Sequence, residues 1–267
     1  MKQVMTIAGS DSGAGAGIQA DLKAFAAMGV YGTTVITSVT AQNTTGVTDI
    51  HDVPVSNIRA QIRALFDDFD IAAVKTGMLA SAEIVACAAE ELGRAGERPI
   101  VVDPVMIAAS RAALMREGAF PELIARLLPL ATVTTPNLHE ASVLADMRVE
   151  TSEEIREAAR RIRDLGSRWV LVKGGHGEGK EAVDVLYDGR TFLEFRAPRL
   201  VTRCVHGTGC TFASALAARL ALGESVPRAA RNAKVFITEA IRRGIEVGRG
   251  NGPTNPLYLL PEWTIDA

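Results

Sequence analysis

The chain has 267 residues, 48% of them hydrophobic, and its 29 basic and 31 acidic side chains leave a formal charge of −2. That length suits one large α/β domain burying roughly three quarters of its unfolded surface, and the even charge without a basic tract argues against a nucleic-acid partner. Three scattered cysteines, Cys87, Cys204 and Cys210, match no zinc spacing or disulfide framework, and no apolar run approaches the ~18 residues of a membrane span. A cytoplasmic protein with a small-molecule ligand and no membrane partner is expected.

Residues 4–8 read as a short buried strand, residues 9–17 as a loop with four glycines, and residues 16–28 as a helix. Gly13, Gly15 and Gly17 approach a dinucleotide-binding pattern, but the third glycine falls one residue early. The next strand, 33–39, ends in Thr40-Ala41-Gln42-Asn43, with no carboxylate to hold a ribose. That argues against a nicotinamide cofactor, and the glycines instead let backbone approach a small flat ligand. Asp21, one helical turn beyond Gly17, has two placements open to it: facing that ligand, or solvated on the surface.

A small strand or hairpin at 46–53 precedes a helix at 55–69, whose Ile58, Ile62, Leu65 and Phe66 recur at helical spacing. Strand 71–75 ends in Thr76-Gly77-Met78-Leu79, helix 82–92 follows, and strand 100–102 ends in Asp103-Pro104-Val105-Met106. In open parallel sheets the ligand sits beyond the carboxyl ends of the strands, so Gln42, Met78, Asp103 and Val105 should converge there. Met78 and Val105 would serve equally as core packing. Residues 107–117 lack periodicity and read as a flap over the site.

A helix at 122–128 leads to strand 132–134 and then Thr135-Pro136-Asn137-Leu138-His139-Glu140. Asn137 and Glu140, three apart at a helix start, can supply two oxygens to a magnesium ion or its waters, or form a plain capping pair. Amphipathic helix 152–165 precedes strand 169–172, which runs into Lys173-Gly174-Gly175-His176. Gly174, Gly179 and Lys180 imitate a nucleotide loop, yet Glu181 stands where a metal-binding serine or threonine belongs, and 182–187 alternates as a strand. This is a hairpin with a glycine-rich turn, leaving Lys173 as the phosphate contact. Strand 191–195 pairs back through Asp188-Gly189.

Val205-His206-Gly207-Thr208-Gly209-Cys210-Thr211 then introduces an alanine-rich helical run. A helix start with glycines offers unpaired N–H groups and a partial positive charge to an anion. Cys210 in the first turn should have its thiol pKa lowered and serve as a base; the competing reading is a flexible turn with an inert cysteine. A long helix at 226–245 follows, Gly250-Asn251-Gly252-Pro253 ends the packed body, and the remainder to Ala267 reads as a surface tail. Alternating β and α elements without a composition break give one domain, 1–267, with a mostly parallel sheet covered by helices on both faces.

Seven blocks occur in an order that resembles the hydroxymethylpyrimidine/phosphomethylpyrimidine kinases, the thiamin-pathway members of the ribokinase superfamily. They are residues 8–21, Thr40-Ala41-Gln42-Asn43, Lys75-Thr76-Gly77-Met78-Leu79, Asp103-Pro104-Val105-Met106, residues 135–140, residues 172–176 and residues 206–211. The resemblance implies a ribokinase-like three-layer α/β sandwich, a homodimer, that uses ATP and Mg2+ to phosphorylate 4-amino-5-hydroxymethyl-2-methylpyrimidine and then its monophosphate. It places Gly9, Asp21, Gln42, Met78 and Val105 in the pyrimidine pocket, and the Gln42 amide suits an aminopyrimidine edge. It assigns Asn137 and Glu140 to the metal and its waters, with Asp103 on the metal or phosphate side. Lys173 and Thr208 take ATP phosphates, Gly207 to Cys210 form the anion hole, and Cys210 is the catalytic base. Cys204-Val205 stands where the family has an Asn-Thr pair, Ala109 and Arg111 replace a lysine and a glycine, and Pro256 replaces a histidine; these bear on nucleotide affinity and the flap. A pyridoxal kinase of the same superfamily and a non-catalytic pyrimidine-phosphate sensor are the alternatives; the presence of Lys173, Asn137, Glu140 and Cys210 weighs against the sensor.

Overall fold

A computed structural model describes residues 1–107, 114–176 and 179–260. The flap expected at 107–117 falls largely outside these residues, as do Ala109, Arg111 and the end of the expected tail. Among the described residues nine strands form one sheet: β1 (Gln3–Asp11), β2 (Tyr31–Asn43), β3 (Gly46–Asp52), β4 (Ile71–Thr76), β5 (Ile100–Val102), β6 (Val133–Thr134), β7 (Trp169–Val172), β8 (Glu181–Tyr187) and β9 (Phe192–Pro198), in the spatial order β3-β2-β1-β4-β5-β6-β7-β8-β9. The six strands from β2 to β7 in that order run parallel, while β3, β8 and β9 each run antiparallel to their neighbours. The chain winds outward from β1 to β3, then returns to lay β4 on the other side of β1. That reversal opens a crevice at the carboxyl ends of β1 and β4, where ligands of doubly wound sheets bind.

Strand alternation decides the two cores. Met5, Ile7, Val74, Val102 and Val172 point to one face, where they meet α2 (Val55–Asp68), α3 (Ala82–Arg94), α4 (Ala119–Glu122), α5 (Leu138–Ala145) and α6 (Ser152–Asp164). Val4, Ala73, Val101, Val133 and Leu171 point to the other, against α1 (Gly17–Ala27), α7 (Thr208–Ala221) and α8 (Val226–Arg242). Each large buried side chain, such as Phe25 or Phe212, contributes about 1.5–3 kcal/mol over leaving it in water. α7 is buried nearly all round because Ala213, Ala215, Ala217, Ala218 and Ala221 let sheet and helices approach closely. It is therefore the central helix of its layer, and its N-terminus reaches the crevice.

Several boundaries differ from expectation for physical reasons. β1 and β2 run into the segments read as loops, because pairing resumes after a bulge at Gly9 (Ser10 with Val39, Asp11 with Thr40) and overrides the glycine turn signal. The helix expected at 122–128 is a short α turn followed by a π turn (Leu123–Leu127) and a 3-10 turn (Leu128–Leu130) containing Pro129, which cannot donate to a regular ladder. α8 stops at Arg242, three residues early, since the Ile245 N–H turns away to the Pro253 carbonyl. Residues 252–258 are packed against the body rather than laid on its surface: Pro253, Thr254 and Pro256 are buried, Asn255 N–H donates to the Ala240 carbonyl, and Tyr258 packs on Phe236 at 5.5 Å. They form a strap that holds His206 on both sides, accepting from its N–H through Gly252 and donating to its carbonyl from Thr254.

Candidate active site

Gly207 begins α7 with φ +76°, a left-handed conformation, and a Cβ there would lie 1.8 Å from the Gly15 carbonyl oxygen. Only glycine fits, so the expected turn and its close approach to the first glycine loop are one feature. The Thr208 N–H and hydroxyl both turn back to the Val205 carbonyl, at 3.3 and 2.7 Å. Gly209 and Cys210 N–H, second and third in the helix, have no carbonyl a turn earlier within it and are left for an anion. Lys173 Nζ and Asp103 Oδ2 approach Gly209 so closely that a Cβ there would sit 3.3 and 3.5 Å away. A cavity of about 800 Å3 opens over this helix start, and all but one of the expected site residues line it: Gly9, Gln42, Met78, Asp103, Val105, Asn137, Glu140, Lys173 and Gly207 to Cys210.

Asp21 is the exception, and its assignment to the pyrimidine pocket is corrected. Its carboxylate is fully buried below the cavity floor, accepting from Thr6 Oγ1 (2.6 Å), Ser214 Oγ (2.7 Å) and, through both oxygens, Lys75 Nζ (2.9 Å each). Lys75 is equally buried; desolvation, the largest single influence, works against its charge, but Asp21 and the other negative groups around it, Asp103 among them, together raise the ammonium pKa. Ser214 lies one helical turn beyond Cys210, so this ion pair ties β1, α1, β4 and α7 together directly beneath the anion hole. Lys75 carries no role in the sequence reading, although a lysine ending an apolar strand was the available signal.

The expected lowering of the Cys210 pKa is also overturned. Desolvation pushes the thiol up to about 11; Lys75 and the Gly17 N–H favour the thiolate, but Asp21 and Asp103 oppose it. Two carboxylates and the packed floor outweigh the helix terminus. At neutral pH the Cys210 side chain is therefore held mainly as the thiol.

Gly9 admits Met78, whose Sδ would lie 3.0 Å from a Cβ at that position, and Val105 and Gln42 line the same cavity, one apolar and one polar. Asp11 lines it too. One oxygen accepts from Gly13 N–H (2.8 Å); the other accepts from Gly15 N–H (3.1 Å), Ala16 N–H (2.8 Å) and His206 Nε2 (2.8 Å). Burial opposes this carboxylate, yet the His206 bond and the Ala16 and Gly13 N–H groups hold its pKa below the ordinary value. Neither Asp11 nor His206 received a role from sequence, because residues 195 apart show no joint pattern.

Lys173 Nζ donates to Asp103 Oδ1 (2.8 Å), which also accepts from Thr135 Oγ1 (3.0 Å). Burial disfavours the ammonium, but Asp103 and then Glu140 raise its pKa and keep it charged. Asn137 and Glu140 do form the capping box, each side chain accepting from the other's backbone N–H (2.9 and 2.8 Å), and both still line the cavity. Burial lifts the Glu140 carboxyl to about 7, with Lys173 opposing and Asp103 adding. Farther out, buried Asp184 accepts from Gly174 N–H (3.0 Å) and pairs with Lys234 Nζ (2.9 Å), while Arg199 donates to the carbonyls of Gly174, Gly175, Gly179 and Glu181. The backbone at Gly174 thus keeps its shape without a Cβ, which would meet the Val183 carbonyl oxygen at 2.0 Å.

Among the described residues, no three His, Cys, Asp or Glu side chains gather as a metal cage. The donor set here is hard oxygen, and Asp103 is already committed to Lys173 and Thr135. That fits a magnesium ion that keeps most of its waters and reaches the protein through Asn137 and Glu140.

An anion-binding helix start between a slot for a flat organic ring and a charged lobe for polyphosphate, at the switch point of such a sheet, defines a small-molecule kinase. Comparison narrows it. Residues 11–255 match the family described as phosphomethylpyrimidine kinase. A hydroxymethylpyrimidine/phosphomethylpyrimidine kinase of Streptomyces coelicolor is 50% identical over 97% of this chain and 96% of its own. The thiamine biosynthesis bifunctional protein ThiED of Geobacter sulfurreducens is 50% identical over 94% of this chain, which spans only about half (51%) of that longer protein. Bacillus subtilis pyridoxal kinase, solved as an ADP complex, is similar at TM-score 0.91 and 39% identity, covering 97% of this chain and 98% of its own. The chain belongs to the phosphomethylpyrimidine kinase family, and its sheet has the ribokinase-like arrangement expected from the sequence.

Proposed function

We propose that the protein uses MgATP to phosphorylate 4-amino-5-hydroxymethyl-2-methylpyrimidine to its monophosphate and then to the diphosphate, a step of thiamin biosynthesis. The observation that carries this reading is the position of the Gly209 and Cys210 N–H groups between the Gln42 slot and the Lys173–Asp103 pair. A ring in the slot points its hydroxymethyl group at Cys210. Lys173 takes charge on the nucleotide phosphates, and the two N–H groups meet the oxygens of the transferring phosphoryl group. Magnesium, when bound, neutralises phosphate charge; Asn137 and Glu140 would hold it through its waters.

The direct test is product analysis with MgATP and, separately, hydroxymethylpyrimidine, its monophosphate and pyridoxal. The pyrimidine diphosphate is expected from both pyrimidines. Similarity to a pyridoxal kinase makes pyridoxal the second candidate, and a product from pyridoxal alone would replace the pyrimidine reading; binding without any product would indicate a sensor. The higher identity to the pyrimidine kinases supports the first reading. The same reading includes a homodimer, checked by sedimentation; no described helix is long and apolar enough to cross a membrane.

Glu140 gives a second expectation. Burial lifts its carboxyl pKa to about 7, so part of it is protonated at neutral pH, and cation-bearing nucleotide should drive that proton off. MgATP binding at pH 7 is expected to release protons, read by calorimetry in buffers of different ionisation enthalpy, and Glu140→Gln to reduce that release. Equal release from the variant and the parent protein would show that Glu140 does not face the nucleotide.

A further inference from the structure

Gln42 is held more completely than a ligand-binding side chain requires. Its backbone N–H donates to Ser12 Oγ (2.8 Å), and its carbonyl accepts from the same hydroxyl (2.6 Å). Its amide lies between two buried side chains, Thr40 Oγ1 at 3.2 Å from Oε1 and His206 Nε2 at 3.4 Å from Nε2. Those neighbours limit how the amide can face. The one hydroxyl hydrogen of Thr40 has the Ser10 carbonyl at 3.0 Å as its shorter contact, and when it goes there the hydroxyl offers Gln42 a lone pair. His206 Nε2 faces the Asp11 carboxylate at 2.8 Å, which can only accept, so this nitrogen carries a hydrogen. With Nε2 toward His206, donor therefore stands against donor; a half-turn about the last torsion puts the amide oxygen beside the hydrogen that His206 shares with Asp11 and an amide N–H against the Thr40 lone pair.

We propose that Ser10–Thr40 and Asp11–His206 lock the Gln42 amide with its nitrogen toward Thr40 and its oxygen toward His206, and that this lock sets which ring edge the slot accepts. The inference rests on the pyrimidine reading above. A carboxamide clamped in this way has one N–H and one carbonyl lone pair left, side by side in a fixed order. A 4-aminopyrimidine offers an acceptor nitrogen beside a donor amino group. The 4-oxo ring offers the reverse, an N–H beside an acceptor oxygen. A ring whose 5-hydroxymethyl group must face the anion hole cannot turn over to repair the mismatch. Thr40, Asp11 and His206 are thus positioning residues acting through Gln42, and they make the site reject the deaminated ring.

Calorimetric binding of 4-amino-5-hydroxymethyl-2-methylpyrimidine and its 4-oxo counterpart, without nucleotide, reads this directly. The parent protein is expected to favour the amino ring by about 100-fold or more, since two mispaired bonds are left in a buried slot. The isosteric Thr40→Val, and separately His206→Phe, free the amide to turn and should cut the preference below about tenfold. A general structural defect would weaken both rings equally and leave their ratio unchanged, so Thr40→Val suffices if His206→Phe does not fold. An unchanged ratio in Thr40→Val, or a parent protein that binds both rings alike, overturns the lock while leaving the pyrimidine reading in place. A parent protein that binds neither ring overturns that reading, and the lock with it.

Discussion

Cys210→Ala is expected to slow phosphorylation of the hydroxymethyl group by about 100-fold or more while changing phosphorylation of the monophosphate by less than about threefold. An alcohol must lose its proton as the new bond forms, whereas a phosphate monoester with a second pKa of about 6 is already largely dianionic at neutral pH. Only the first transfer needs a base. Because burial holds the thiol at about 11, the thiolate fraction grows with every rise in pH below that value. The first transfer should therefore accelerate steadily between about pH 7 and 10, and Cys210→Ala should flatten the profile. The sign matters: a thiol lowered by the helix terminus would give a plateau from pH 7 upward. Steady-state rates for the two substrates over this range decide the matter, and equal losses in both transfers would remove Cys210 from the proton's path.

Lys75→Met should cost about 3–5 kcal/mol of stability, because it leaves the fully buried Asp21 carboxylate without its cation. For a chain of this size that corresponds to a fall in Tm of roughly 6–20 °C. Adding Asp21→Asn to Lys75→Met should recover much of the loss, since the amide keeps partners in Thr6 and Ser214 without a stranded charge. Thermal and urea unfolding of both single variants and the double variant measure the coupling. A single variant that melts within about 2 °C of the parent would show that the pair is not closed in solution.

The mostly parallel sheet, the glycine-led helix start and the placement of the expected site residues at strand ends were legible because each is a local pattern: an apolar strand ending in special residues, or glycines before an alanine-rich helix. Where the reading failed, the deciding partner came from far along the chain. Helical spacing places Asp21 on the face that Gly17 starts, but whether that face meets ligand or Lys75 depends on a strand 54 residues later. The Cys210 shift failed for the same reason. A helix terminus is visible in sequence, whereas two buried carboxylates gathered from α1 and the end of β5 are not. Asn137 and Glu140 show a local pattern that did hold: they form the capping pair that was one of the two sequence readings, and the same two side chains line the cavity.

The strap that grips His206 also bears on how the protein comes into being. Residues 252–254 seat the loop before Gly207, and Asn251 N–H donates to the Thr44 carbonyl, so a segment made late clasps one made some 200 residues before it. On the ribosome, α7 can pack while its entrance is still unpinned, and the His206–Asp11 contact can settle only after residues 250–255 have emerged. Nascent chains halted before that point should already resist protease across the sheet, yet fail to retain a pyrimidine.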